Sequence, residues 1–409
     1  MSTKLTRLAV VIAAVAGVSN SAFAIDPVSI PVIDGVRFTP TLQFQEKYDD
    51  NIFATKKQRQ SSWVTVIEPT FSLSLDRAKS AYQLKYRMSS NNYHSSNDSS
   101  HINHHITADT GFAFDSRNRL LLKAGYHKLQ STSTDNSYSR SEVKNDKWHT
   151  KNIGGVYTFG AREARTQVDF GLDYSELRYD NSRRNMQGER INKNIERDAA
   201  SAKLTGYYAI APKTRLLLEG RYTDYDYKSN SDSDNNIKAL LAGVTWQAAA
   251  KTKGTVKIGR EKKEYKNSYN ANKSTGVWEV GVEWKPIAYS TFKLTTRRGF
   301  DEGNNYREFD EIDEIDNVTS SIKTVDSSLA WKHYWLEHLY SDAEYRHTER
   351  KYQNFDRKDK VDQYSIGLTY EARRWLDVGI GFKHRDNDSD NSGGGYKRNI
   401  YALTFNASL

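Results

Sequence analysis

The stretch "WEVGVEW", residues 278–284, decides how the rest of the chain is read. Trp278, Val280, Val282 and Trp284 fall on one parity; Glu279, Gly281 and Glu283 fall on the other. Successive side chains of a strand point to opposite faces, so this is a strand with one apolar and one charged face. Both apolar ends are tryptophan. The same alternation recurs at 82–88, where Tyr82, Leu84, Tyr86 and Met88 oppose Gln83, Lys85 and Arg87. It recurs at 168–174 and again at 376–382, with Asp169, Gly171 and Asp173 in one case and Asp377, Gly379 and Gly381 in the other facing away from the apolar row.

Eighteen such segments follow one another, with apolar faces centred on Leu42, Val66, Leu84, Ala108, Ala124, Gly155, Phe170, Leu204, Leu218, Ala242, Val256, Val280, Leu294, Leu329, Ala343, Ile366, Val378 and Phe405. The connections alternate between short turns and longer polar loops rich in Asn, Ser, Asp and Lys. An even strand count with short turns at one end and long loops at the other is the layout of a transmembrane antiparallel up-and-down β-barrel, its short turns periplasmic and its longer loops extracellular. Such a barrel carries aromatic belts at both membrane interfaces. Outward positions next to the short turns include Trp246, Trp284, Trp331 and Tyr370; outward positions toward the long loops include Tyr86, Tyr126, Tyr174, Tyr222, Tyr345 and Tyr401.

Composition fits this reading. Only 37% of the 409 residues are hydrophobic, yet there are 26 Tyr, 15 Phe and 8 Trp. Disordered chains are poor in aromatics. A barrel wetted along its interior and loops reconciles a mean hydropathy of −0.79 with that aromatic content. The absence of cysteine excludes disulfides, thiolate metal sites and cysteine nucleophiles. The net charge of +9 is a modest basic bias over this length and does not indicate nucleic acid.

Residues 1–24 read as a secretory signal peptide: Lys4 and Arg7, the apolar run 8–18, and a small-residue site ending at Ala24. Residues 25–36 then form a short periplasmic lead segment, and 37–409 the barrel. No later apolar run is long enough for a membrane-spanning helix. The last strand alternates from Tyr401 to Leu409 and is expected to close the barrel against the strand around Leu42, leaving no open edge.

At this strand number a barrel encloses an aqueous channel. The parity that faces the lumen carries charge of both signs: Lys85, Arg87, Lys123, Lys203, Arg221, Lys257, Arg297, Arg346 and Lys383, with Asp169, Asp173, Glu219, Glu279, Glu283 and Glu344. These are candidates for setting selectivity; the alternative is that they pair with one another and keep the lumen wet. Neither a catalytic arrangement nor a cofactor motif is visible. "HINHH" (101–105) lacks a third ligand at useful spacing and reads as solvated histidine. The acidic run 310–316 lacks the glycine-containing calcium-loop spacing and reads as a solvated loop.

Two stretches carry a resemblance. "FQEKYDDNIFAT" (44–55) resembles the Y-x-D-N-I-F opening of the outer-membrane barrel family called putative β-barrel porin 2. "VGIGFKHRDNDSDNSGGGYKRNIYALTFNASL" (378–409), with Tyr396, Arg398 and Asn399, resembles that family's last hairpin. The resemblance implies a non-enzymatic porin of the Gram-negative outer membrane that lets an exopolysaccharide cross. It also implies contact with outer-membrane lipids, with a periplasmic polysaccharide-export protein and, during insertion, with the barrel-assembly machinery. A general small-solute porin is the alternative, and a rim-located barrel enzyme or adhesin a more distant one.

Overall fold

The computed structural model describes residues 29–33, 35–131, 145–182, 192–248, 251–267, 270–302, 321–353, 356–390 and 394–408. The expected signal peptide, the acidic run 310–316 and Leu409 lie outside them.

In chain order the strands are β1 (Ile30–Ile33), β2 (Val36–Asp49), β3 (Ser62–Asp76), β4 (Ser80–Tyr93), β5 (His101–Ala113), β6 (Asn118–Ser131), β7 (Asp146–Phe159), β8 (Thr166–Tyr179), β9 (Arg197–Ala211) and β10 (Thr214–Tyr227). They continue as β11 (Asn235–Ala248), β12 (Thr252–Tyr265), β13 (Lys273–Ile287), β14 (Ser290–Glu302), β15 (Ser321–Leu336), β16 (Leu339–Tyr352), β17 (Arg357–Arg373), β18 (Leu376–Ser389) and β19 (Tyr396–Ser408). Each of β2 to β19 pairs antiparallel with its neighbour in sequence, and β19 returns to β2 with Ala407 opposite Leu42 and Phe405 opposite Phe44. The result is a closed barrel of eighteen strands, so every strand has two hydrogen-bonding neighbours. In hydrocarbon no other sheet arrangement satisfies the backbone. No helix among the described residues is long and apolar enough to cross a membrane.

All eighteen expected segments are strands. Within the expected lead segment the structure adds β1, whose Ile30 and Pro31 lie opposite Phe38 and Arg37 of β2. That part of β2 lies below Thr41, where the β19 ladder stops. The extra strand therefore covers an edge that β19 leaves bare.

Parity separates the two faces. Leu84, Ile106, Leu122, Ile153, Leu172, Leu204, Leu218, Ile258, Leu329, Ile366 and Ile380 are all exposed and all lie on the convex side. Exposure of large aliphatic side chains on one face of strand after strand is what a lipid-facing wall requires. Val66 is a correction: it points inward, with the outward position taken by Ile67. Val66 is buried with Val64, Tyr93 and Ile52 of the following loop. The apolar run "WVTVI" (63–67) has both parities apolar because Trp63 and Ile67 are exposed on the outer face while Val64 and Val66 are covered on the inner face by Ile52.

The turns and loops also depart from strict alternation in length. The upper connection between β16 and β17 is residues 353–356, shorter than the lower connection 160–165 between β7 and β8. The largely polar positions 350–352 and 357–360 are paired strand. Above the membrane a ladder can carry polar side chains on both faces, so composition no longer separates strand from loop there. Gly160, at the end of β7, has φ +116. An added Cβ would lie 2.8 Å from the Thr166 carbonyl oxygen, so this turn needs glycine. The lower turn after β5 is fastened by Asp115. Its carboxylate accepts bonds from the Asn118 side chain at 2.7 Å and from the Arg117 and Asn118 amides at 2.6 and 2.8 Å. These bonds hold the carboxyl below its ordinary pKa.

Candidate functional site

The concave face is identified by bonds that skip strands. Arg221 of β10 reaches Glu279 of β13, Nη1 to Oε1 at 2.5 Å and Nη2 to Oε2 at 2.8 Å. A side chain can span two intervening strands only across the inside of a curved sheet.

Arg221 and Glu279 belong to a four-residue network at mid-height. Lys257 of β12 donates to Glu279 at 2.9 Å and to Glu219 at 3.2 Å. Glu219 is buried, accepts a bond from Thr205 at 3.1 Å, and is also bonded by Arg221. The geometry follows from the ladders: Glu219 stands opposite Leu241, Gly243 opposite Lys257, and Lys257 opposite Glu279. Gly243 leaves open the position between Glu219 and Lys257 on the strand that separates them. Two acids and two bases therefore neutralise one another on one patch of wall. Bidentate contact with Glu279 fixes the guanidinium in direction as well as in position.

Next to this network, Arg297 of β14 donates to Asp301 at 2.6 Å, and Arg346 of β16 to Asp326 of β15 at 3.0 Å. Thr348 also donates to Asp326, at 3.3 Å. A recess of ≈ 630 Å³ opens onto the lumen between these groups and is lined by Tyr207, Lys257, Glu279, Arg297, Asp326 and Arg346 among others. Glu344 lines it too.

A second set lies on β3 to β9, the strands that continue round the barrel from β10. Arg87 of β4 lies 3.4 Å from Glu68 of β3. Lys85 stands opposite Ser72 and Thr107, and Lys123 opposite Asp109. Asp169 accepts bonds from Thr158 at 2.8 Å and Gln167 at 3.2 Å. Asp173 lies over Gly154, where an added Cβ would sit 2.1 Å from its Oδ1. Lys203 extends along Gly171. His105 and His127, both buried, meet Nδ1 to Nδ1 at 3.0 Å. His101 instead bonds the Ser99 carbonyl at 2.7 Å. Among the described residues no group of three metal-ligating side chains forms.

All fifteen sequence-derived lumen candidates thus lie on the inner parity. The structure gathers Glu219, Arg221, Lys257, Glu279, Arg297, Glu344 and Arg346 on one wall, with Lys203 beside them opposite Arg221, and places Lys85, Arg87, Lys123, Asp169 and Asp173 further round the barrel on β4 to β8. Glu283 stands apart near the lower mouth, 3.2 Å from Lys253, and Lys383 lies on β18 opposite Ser365 and Ile400. Sequence reading missed Asp326, Glu68 and Tyr207. Parity counted from Leu329 gives Asp326 its inward direction; Tyr207 is hidden because its neighbour Tyr208 is aromatic as well. The ten girdle residues all lie on the outer parity, with Tyr86 stacked on Phe71, Tyr345 on Tyr364 and Trp331 on Phe292.

At the upper rim a second constellation joins the two ends of the barrel. Asp49, at the end of β2 and fully buried, receives Arg398 of β19 through Nε at 3.0 Å to each carboxylate oxygen. Asp50 accepts from the Asn399 amide at 2.7 Å and side chain at 2.6 Å. Asn51 donates to the carbonyls of Thr55 and Lys397, both at 2.9 Å. Ile52 then turns inward and is buried against Val64, Val66 and Tyr93. The motif "YDDNIF" (48–53) and the "YKRN" of 396–399 are two halves of one clasp.

The family model described as "Putative beta-barrel porin 2" matches residues 37–408. The chain belongs to this porin family. Among curated proteins none matches the sequence. Solved structures are similar to this porin at low identity. OpdO of Pseudomonas aeruginosa is 11% identical with a TM-score of 0.49, covering 92% of this chain and 98% of its own. OpdK of the same organism, solved with vanillate, is 10% identical with a TM-score of 0.49, covering 91% and 99%. The FrpB iron transporter of Neisseria meningitidis (F5-1 variant) is 9% identical with a TM-score of 0.50, covering 86% of this chain and 63% of its own. This porin therefore spans less than two thirds of the FrpB chain. It is an outer-membrane, porin-like β-barrel.

Proposed function

We propose that this barrel is a passive channel through which an exopolysaccharide leaves a Gram-negative cell. The observation that carries the reading is the charge balance of the inner wall. Glu219, Arg221, Lys257 and Glu279 neutralise one another, and Arg297 with Asp301 and Arg346 with Asp326 do the same beside them. Such a wall offers many donors and acceptors with little net field. A polyhydroxylated chain can exchange hydrogen bonds along it without being trapped by one charge, and conduction requires that binding stay weak and multi-site. Family membership supports the same reading, because the resemblance of residues 44–55 and 378–409 is to barrels that let an exopolysaccharide cross. On this reading the mature chain begins after Ala24, is inserted by the barrel-assembly machinery, and receives the polymer from a periplasmic export protein.

The test is deletion of the gene with measurement of polymer in the medium and in the periplasm. Secreted polymer is expected to fall while precursor accumulates in the periplasm; unchanged secretion would sink the proposal. A second reading, a small-solute porin, is favoured by one observation: the recess of ≈ 630 Å³ has the size of a small-molecule site. Liposome swelling separates the two. A small-solute porin admits monosaccharides and excludes long oligosaccharides, whereas a polymer channel admits both.

A further inference from the structure

Around most of the upper rim, outward-pointing cations are matched by acids. Lys151 meets Glu176 at 3.3 Å, Lys228 meets Asp198 at 2.8 Å, Lys238 meets Glu264 at 2.6 Å and Lys397 meets Asp386 at 2.8 Å. Between β12 and β16 the pattern changes. Arg260, Arg298, Lys323 and Lys351 share the outer face of β12, β14, β15 and β16, and none of them has an ion pair among the described residues. Arg260 bonds only a hydroxyl, that of Ser274 at 2.9 Å, and Arg298 lies 5.3 Å from the Trp278 ring with its buried Nε unpartnered. Lys323 stands directly opposite Lys351, and Lys351 directly opposite Lys358. Directly opposed like charges destabilise a ladder. The acid beside them, Glu349, is engaged by Lys358 at 3.1 Å.

The backbone opens at the same place. β13 pairs with β14 only up to Trp278 opposite Arg298, although β13 continues to Lys273 along β12. Above Arg298, β14 turns into the lumen: the Phe300 amide donates to Glu261 of β12 at 2.6 Å, and Glu302 accepts from Tyr227 of β10 at 2.6 Å and pairs with Lys263. This leaves an outward notch beside Gly276, whose missing Cβ would meet nothing within 4 Å.

Height in the membrane selects the partner. Arg260 and Arg298 lie as far above the lower turns as the girdle residues Tyr126, Tyr174 and Tyr222 lie on their own strands. Lys351 is on the strand and face of Tyr345, roughly 15 Å further out at a rise of about 3.3 Å per residue and a tilt near 40°. Two cations therefore sit at the level of lipid phosphates and two at the level of the sugars attached to them. We infer that Arg260, Arg298, Lys323 and Lys351 form a site for a phosphorylated, acid-sugar-bearing glycolipid of the outer leaflet. Its lower phosphate meets the two arginines at the notch, where planar guanidinium suits phosphate oxygens. Its acidic core sugars lie between the opposed lysines and relieve their repulsion. This inference rests on the outer-membrane placement and does not depend on what the channel passes.

The test is native mass spectrometry of the purified full-length barrel in detergent. It is titrated with a bis-phosphorylated glycolipid carrying its acidic core sugars, and separately with the same lipid stripped of phosphates and acidic sugars. One bound intact glycolipid is expected to survive activation in the native protein. At about fivefold per juxtamembrane cation, the R298Q/K323Q/K351Q variant should bind it on the order of a hundredfold more weakly. The variant K238Q, whose lysine already has an acid partner, should bind as the native barrel does. Heat-modifiable migration verifies folding, and R298Q and K351Q singly replace the triple variant should it fail to fold. Equal binding of the stripped lipid, or undiminished binding by the folded variants, would overturn the proposal.

Discussion

Arg398 closes onto Asp49 across the seam where the last strand meets the first, with Nε 3.0 Å from both carboxylate oxygens. The ladder between β19 and β2 ends one pair above Tyr401 and Tyr48, at Ile400 opposite Asp49, and the ion pair continues the join upward. Asp49 has no exposed surface, so it relies on this partner. Truncating one member of a buried pair costs about 3–5 kcal/mol. R398A should therefore lower the temperature at which the folded band converts to the unfolded one on a gel by several degrees. R398K, which keeps the charge and loses the fork, should lie between. An unchanged conversion temperature for R398A would show that the seam holds without the clasp.

The wall network predicts selectivity of opposite sign from its two ends. E279Q leaves Arg221 and Lys257 in excess and should shift permeability toward anions; R221Q leaves Glu219 and Glu279 and should shift it toward cations. A contact charge in a hydrated lumen is worth on the order of 1 kcal/mol, which is about fivefold in relative permeability. Reversal potentials in planar bilayers under a salt gradient give the ratio. Shifts of the same sign in both variants would exclude these residues from the conduction path.

Lipid and lumen faces should differ sharply at adjacent positions. Ile366 is exposed near mid-depth on the outer face, and Ser365 beside it points inward. I366R should lose about 2–4 kcal/mol on folding into bilayers. S365R should fold with close to native yield and alter conductance instead. Folding yields into short-chain liposomes read both.

Asp115 predicts an acid-side transition confined to the lower turn after β5. Its folded pKa is lowered by bonds from Asn118 and Arg117, so its contribution is present above the ordinary carboxylate value near 3.9 and is lost as pH falls through the folded value. Carbon-detected titration of its carboxyl should show a midpoint below that of an exposed aspartate. D115A should remove that acid-side change; a normal midpoint in the native protein would show that the turn bonds are not formed in solution.

Much of this architecture was legible because a strand's period is two. From Trp278, Val280, Val282 and Trp284 one reads the outward row, and Glu279 and Glu283 follow as inward. Parity gives direction but not neighbours. That Arg221 reaches Glu279 while Glu283 is left at the lower mouth depends on curvature and on register across three ladders. The inward turn of Ile52 was hidden for a different reason: an apolar residue in a polar loop has no period to belong to. Val66 misled because the alternation fails where a loop covers the inner face. The resemblance located Asp49 to Phe53 and Tyr396 to Asn399 as separate motifs; only the closed sheet brings them together.

The early parting of β14 from β13 gives the upper mouth the mechanics of a split ring. Below Trp278 and Arg298 the two strands are joined rung by rung as far as Trp284 opposite Phe292, and widening there must rupture that ladder. Above them, among the described residues, the ladder between β13 and β14 is interrupted, and β14 is tied to β10 and β12 through side chains, with Glu302 meeting Tyr227 and Lys263 and Glu261 accepting from the Phe300 amide. At this seam the extracellular mouth can thus widen by exchanging side-chain bonds, whereas lower down the same seam must break backbone bonds to open.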